Sequence, residues 1–318
     1  MSLSFDLVDV FTDHPFAGNQ LAVVHGADDL STEQCLAIAK EFNFSETTFP
    51  ATDVTDGREY ATRIFTPGGE IPFAGHPTLG TAWALRARGL LTGDVVSQVC
   101  GAGRIGVRFS EGYVELSAAP RDLIGPLDDD LAASIAGDVG LARSDLVSPA
   151  YVAGCGLTFV HLPVTQEAVA RATVARRPLA EYRDRFERAG PTSDPIEGIN
   201  VHAVSGAAPT LQVRSRVFVP GLSVPEDPAT GSAAAGLGIA LVAGGLLPVG
   251  GSYTVTQGVE MGRPSTLHGR VETTVLGGHG WSAEGSDDAT TVVAAVCHVG
   301  GRVERIGRGE IDVPPELS

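Results

Sequence analysis

Apolar and polar residues alternate in short runs along most of the chain. Phe5 to Phe11, Leu21 to Val24, Arg104 to Phe109, Tyr113 to Leu116, Thr291 to His298 and Arg302 to Ile306 all follow this period of two, which predicts strands with one face buried. Ser110-Glu111-Gly112 and Gly300-Gly301 separate consecutive runs and read as hairpin turns. Helical patterns are fewer. One starts at Ser31, where Ser31 and Gln34 have the spacing of a capping box, and runs to about Glu41. Another runs from about Asp128 to Val139. Two more, Pro77 to Leu85 and Ala233 to Leu241, are apolar or small on every face, the pattern of helices buried all round. The second lies in a stretch without a charged residue between Asp227 and Glu260 and imitates a membrane span. It is broken by Gly236, Gly238 and Gly244-Gly245 and stopped by Pro248, whereas a span needs about 20 predominantly apolar residues. It reads as a buried helix followed by a strand, with no membrane association.

These helices belong to an internal echo. Arg63-Ile64-Phe65-Thr66-Pro67-Gly68 recurs 153 positions later as Arg216-Val217-Phe218-Val219-Pro220-Gly221. Each copy reads as a strand ending in a Pro-Gly turn. Each continues through a loop to a glycine and a polar residue, Gly75-His76 and Gly231-Ser232, that open the small-residue helices. The expected architecture is therefore α+β: two pseudo-symmetric halves, each a mostly antiparallel strand layer rolled around one central buried helix. The join falls between Pro120 and Pro126, giving lobes 1–120 and 121–318, with the last residues, about 15 of them, packing back on the first lobe.

Composition removes several functions. The 318 residues carry a net charge of −16, which opposes binding to nucleic acid or an anionic membrane. Lys40 is the only lysine, so a Walker A loop has no lysine to use. Cys35, Cys100, Cys155 and Cys297 are scattered, without a CxxC pair, and read as free thiols of a cytoplasmic protein with no metal site. The N-terminus lacks the basic stretch and apolar core of a signal peptide. Gly101-Ala102-Gly103-Arg104-Ile105-Gly106 has GxGxxG spacing, but a hairpin pattern follows it where a dinucleotide site needs a helix.

The chemistry that remains gathers at the two helix starts. A helix N-terminus presents unpaired N–H groups and a partial positive charge, suited to a carboxylate. Related halves would aim both at one cleft, where Gly75 and Gly231 allow close approach of a ligand. His76 and Ser232 would stand at the rim as donors or proton carriers. The plainer alternative makes His76 and Ser232 simple N-caps, with Pro77 at the first helical position. Glu46 lies in Phe42-Asn43-Phe44-Ser45-Glu46-Thr47-Thr48-Phe49. On a strand it shares a face with Phe44 and Thr48, and an aromatic setting would raise its pKa toward acid–base use; a solvated strand-end carboxylate is the alternative. Asp227, in Pro225-Glu226-Asp227-Pro228, reads locally as a turn residue.

Five separated segments resemble the PhzF-like family of phenazine biosynthesis, within the diaminopimelate epimerase superfamily. They are Asp9-Val10-Phe11 with Phe16-Ala17-Gly18-Asn19, Ser45 to Phe49, Ile64 to Pro77, Glu226 to Ala233, and Gln257 to Ser265. The resemblance implies a diaminopimelate epimerase-like fold with the active site between the lobes. It further implies a cofactor-independent isomerase acting on a small anionic carboxylate, and a homodimer. Glu46 is implied as general acid/base, with His76, Asp227 and Ser232 as further catalytic side chains and Gly75, Gly231, Thr230 and Asn19 in substrate binding. Isomerisation of trans-2,3-dihydro-3-hydroxyanthranilic acid itself, or non-catalytic metabolite binding, are the alternatives. The two opposed cysteines of the superfamily's racemases fall at Ala74 and Thr230 here, so two-thiol chemistry lacks its thiolates. Two Gly-, Arg- and Asp-rich stretches, Arg176 to Asp194 and Gly277 to Asp288, are expected to shape the pocket or lie on the surface.

Overall fold

The structure, a computed structural model, describes residues 2–192, 195–220, 225–276 and 291–315. Gly277 to Asp288 lies outside them, as does Gly221 of the second Pro-Gly turn.

The chain runs β1 (Ser2–Val10), β2 (Asn19–Val24), α1 (Thr32–Phe42), β3 (Glu46–Thr55), β4 (Glu59–Thr66), β5 (Gly69–Ile71), α2 (Gly75–Ala87), β6 (Val95–Cys100), β7 (Gly103–Ser110) and β8 (Tyr113–Ala118). It continues as β9 (Asp122–Ile124), α3 (Asp129–Asp138), β10 (Tyr151–Cys155), β11 (Leu157–Pro163), α4 (Gln166–Arg171), α5 (Arg183–Ala189), β12 (Ile196–Ala207) and β13 (Thr210–Phe218). Last come β14 (Glu226–Asp227), α6 (Gly231–Ala243), β15 (Gly251–Gln257), β16 (Ser265–Leu276), β17 (Thr291–Gly301) and β18 (Val303–Asp312).

Strand pairing gives two rolls. In the first, the spatial order is β18-β1-β2-β3-β4-β6-β7-β8, packed on α2. In the second it is β9-β10-β11-β12-β13-β15-β16-β17, packed on α6. Strands β8 and β17 pair and join them. Each roll contains two parallel pairs, β2–β3 and β4–β6 or β11–β12 and β13–β15; the rest are antiparallel. Every residue of α6 from Gly231 to Val242 is buried, so this helix has no polar face and exists only inside its roll. No helix among the described residues is long and apolar enough to cross a membrane.

The echo persists down to side chains. Arg63 grips Glu70 with Nε–Oε1 2.9 Å and Nη2–Oε2 2.6 Å, and Arg216 grips Glu226 with the same atoms at 2.7 and 2.8 Å. Each guanidinium also lies over the echoed phenylalanine, 4.9 Å from the Phe65 ring and 5.0 Å from that of Phe218. Such paired forks fix the turn that leads into each central helix.

Local signals explain most elements. Ser31 accepts from Gln34 N while Gln34 returns a bond to Ser31 N, completing the capping box of α1, and Asp128 caps α3 through Leu131 N. The GxGxxG run is the β6–β7 turn, Gly101-Ala102, and the start of β7. Of the stretch from Arg176, residues 183–189 form α5, and Leu179, Tyr182 and Phe186 pack in the outer core of the second roll, away from the cleft.

One turn is corrected. Gly300-Gly301 does not form a hairpin, because β17 pairs with β8 and β16 while β18 crosses to the first roll and pairs with β1. The two glycines serve close packing instead. A Cβ on Gly301 would stand 2.7 Å from the Phe11 ring, and one on Gly300 2.6 Å from Val114 O.

Candidate active site

Helices α2 and α6 meet at their N-termini. A Cβ on Gly75 would be 3.7 Å from Ser232 N and 3.8 Å from Gly231 Cα. The N-caps are Ala74 and Thr230, and neither side chain bonds its own helix. His76 and Ser232 are each the second helical residue, so the reading of them as N-caps fails. Both first turns line a cavity of about 300 Å³, together with Ser45, Glu46, Thr66, Asp227 and an apolar wall of Leu157, Phe159 and Val219.

Glu46 opens β3, beside Leu21 of β2. Of its sequence neighbours, Phe44 precedes the strand and stacks on Phe42. The setting of Glu46 comes instead from the cleft. Burial, and then the negative charge of Asp227, push its pKa up to about 8. Its Oε2 lies 3.4 Å from His76 Nε2 but makes no hydrogen bond to any described residue. That nitrogen also lies 3.3 Å from the Gln20 carbonyl, which can only accept, so this bond requires Nε2–H. His76 is therefore neutral with Nε2 protonated, and burial lowers its pKa to about 3.

Asp227 is the ionised partner. Burial raises it to about 6, opposed by bonds from Thr230 and Asn19. Asn19, at the start of β2 and buried, donates from Nδ2 to Asp227 Oδ1 at 2.8 Å and to Ala229 O at 2.9 Å, and lies 3.3 Å from His76 Nδ1. Thr230 donates from Oγ1 to Asp227 Oδ2 at 2.6 Å. These shifts favour the proton on Glu46 and the charge on Asp227, the two titrating as a pair.

All eight sequence-derived positions thus gather around one cleft, Glu46, His76, Gly75 and Asn19 from the first roll and Asp227, Thr230, Gly231 and Ser232 from the second. Sequence reasoning gave no role to Gln257. Its amide bonds Asp227 O at 2.7 Å, Thr230 Oγ1 at 3.1 Å and Thr230 N at 3.3 Å. The available signal was its position as the last polar residue of a strand within the uncharged stretch. The cysteines stay out of the cleft as free thiols; Cys35, Cys155 and Cys297 are buried elsewhere.

The polar groups break the pseudo-symmetry. Strand register equates Glu46 with Gly198, since they lie opposite Leu21 and Phe159 in the matching parallel pairs. The 156-residue spacing of the helix starts equates Asp227 with Ile71 and Thr230 with Ala74. The mirror positions of Glu46, Asp227 and Thr230 are thus bare or apolar, although a third carboxyl, Glu197, lines the cavity next to Gly198.

Comparison with known proteins agrees with this architecture. Residues 8–284 match the family model described as phenazine biosynthesis-like protein. The trans-2,3-dihydro-3-hydroxyanthranilate isomerase of Pseudomonas aeruginosa is 34% identical over 269 residues, covering 84% of this chain and 89% of that one. A Bacillus anthracis phenazine biosynthesis protein of the PhzF family superposes with a TM-score of 0.77 at 20% identity, over 98% of this chain and 100% of that one. A predicted epimerase from Pseudomonas aeruginosa does so at 0.73 and 28% identity, over 97% and 99%. With the two-roll fold in common and the family model spanning most of the sequence, the chain belongs to the phenazine biosynthesis-like family and is an isomerase.

Proposed function

We propose that this isomerase relocates a proton on a small carboxylate bound between the two helix N-termini, with Glu46 as the single acid and base. The observation that supports this most strongly is Glu46 Oε2 itself, a buried oxygen without a hydrogen-bond partner, on a carboxyl that holds its proton at neutral pH and lines the cavity. As an acid it protonates one carbon. The carboxylate left behind removes a proton from another, so atoms and charge balance without a further reactant. The uncapped first turns of α2 and α6 offer N–H groups to the substrate carboxylate and to negative charge developing in the reaction. Ser232 supplies a neutral hydroxyl donor, His76 lines the cavity beside Glu46 with its Nε2–H on the Gln20 carbonyl, and the apolar wall takes the hydrocarbon part. The P. aeruginosa relative makes trans-2,3-dihydro-3-hydroxyanthranilate the first substrate to try.

The test is turnover of that compound, and of a panel of small unsaturated carboxylates, in deuterated water. Deuterium is expected at one carbon of the product, and Glu46→Gln is expected to lower kcat by about 10²–10⁴-fold while retaining the fold. Wild-type turnover by Glu46→Gln would end the assignment. Thermal stabilisation by a carboxylate that is never converted would instead favour a metabolite-binding role.

A further inference from the structure

We propose that Gln257 is a positioning residue that turns the Thr230 hydroxyl toward Asp227, and so decides which carboxyl of the Asp227–Glu46 pair keeps the proton. This rests on the proton-transfer reading of the site. Gln257 is buried at the end of β15. Its Nε2 donates to the Asp227 carbonyl and to Thr230 Oγ1, and its Oε1 accepts from Thr230 N–H. A hydroxyl that receives an amide N–H through its oxygen has its own proton free for a second partner. Here that partner is Asp227 Oδ2. Asn19 covers Oδ1, so donors hold both oxygens of Asp227, an arrangement that favours the carboxylate.

The other charged and titratable groups facing Asp227 do not supply this. Glu226 is adjacent and raises it, its own charge held by Arg216. Glu46 is the proton-bearing partner, His76 is neutral, and Glu197, which lines the same cavity, brings a carboxyl and not a donor.

The fold itself does not require the amide. Register places Val99 beside Ala61 and Thr256 beside Arg214, which makes Cys100 the counterpart of Gln257. The next residues confirm the alignment: Gly101 presses on Pro72, with a Cβ 2.8 Å from its Cα, and Gly258 on Pro228, at 3.1 Å. The first roll builds the same strand, loop and helix with Cys100, Ile71 and Ala74, anchoring the loop by Ala102 N–H to Pro72 O at 3.0 Å. The amide–hydroxyl–carboxylate chain exists only where the carboxyl pair does.

The experiment is a pH titration of the ligand-free chain labelled with ¹³C at the Glu and Asp carboxyls, with Glu46→Gln and Asp227→Asn assigning the signals. Gln257→Met keeps the volume and removes the amide. It is expected to move the Asp227 titration up and that of Glu46 down by about one to two pH units. Thr230→Val deletes the same donor without touching β15 and is expected to do likewise, whereas Thr230→Ser restores the wild-type curve. If Gln257→Met lowers the melting temperature but leaves both titrations in place, or if Thr230→Val leaves Asp227 where it was, the proposal falls. The titration needs no turnover, so its failure is separate from that of the deuterium experiment.

Discussion

A carboxyl that stays protonated inside a folded protein makes stability fall as pH rises. Glu46 moves from its ordinary 4.5 to about 8 on folding. Between these values the folded chain holds a proton that the unfolded chain has released, so rising pH favours unfolding. The contribution is complete below about 4.5, shrinks through the interval and is lost above about 8. At about 1.4 kcal/mol per unit, the loss reaches at most about 4–5 kcal/mol. Glu46→Gln carries no such proton. It should match wild type near pH 4 and exceed it by up to about 4 kcal/mol at pH 8, measured by urea unfolding at both values. Equal pH dependence of the two proteins would contradict the buried-proton account. Little of this was legible locally. The residues around Glu46 suggested an aromatic setting, but burial in the cleft dominates and the charge that adds to it is Asp227, far away in sequence and invisible to any window around position 46. The acid–base role came from the resemblance, not from local pattern.

Among the elements, α2 and α6 combine helix geometry with an omission. Both lack a side-chain cap, although a Ser, Thr, Asp or Asn that does cap is worth about 0.5–2 kcal/mol. At Ala74 the missing cap leaves the first N–H groups of α2 to the cavity. Ala74→Ser should cap through His76 N–H, since Pro77 has none. The expected result is a gain of about 0.5–1 kcal/mol in stability with weaker carboxylate binding, read by denaturant unfolding and calorimetry. Tighter binding would place the carboxylate away from α2. The helices were readable because all-round small and apolar sequence has few alternatives, and α1 and α3 because their caps are local chemistry. Gly300-Gly301 misled because a turn glycine and a close-packing glycine look alike until the Phe11 ring in front of Gly301 is known.

At the scale of the molecule, Arg263 stitches the two rolls together. It donates to Asp9 Oδ1 at 2.6 Å, Ala17 O at 2.7 Å and Gly18 O at 2.8 Å. Asp9 is only 2% exposed; burial raises its pKa while Arg263 opposes the rise. Arg263→Ala would strip that buried carboxyl of its cation and leave it the Phe16 N–H on Oδ2, at an expected cost of about 3 kcal/mol in urea unfolding. Adding Asp9→Asn should recover part of the loss, and strict additivity would refute direct coupling. The two-roll plan was legible because duplication writes the same phrase twice, Arg63 to Gly68 and Arg216 to Gly221. The contacts that bind the copies were not, because Arg263 and Asp9 share no pattern.

The crossing of β18 has a consequence for biosynthesis. Ser2 of β1 lies opposite Asp312 of β18, so the first roll receives its last strand from beyond the whole of the second roll. On a ribosome, β1 precedes the other strands of its roll and waits with one edge unpaired until β18 has been made. The roll made of β9 to β17 has all its strands sooner, though it begins later. Such extreme contact order slows closure, and the waiting edge is an open template for another nascent chain.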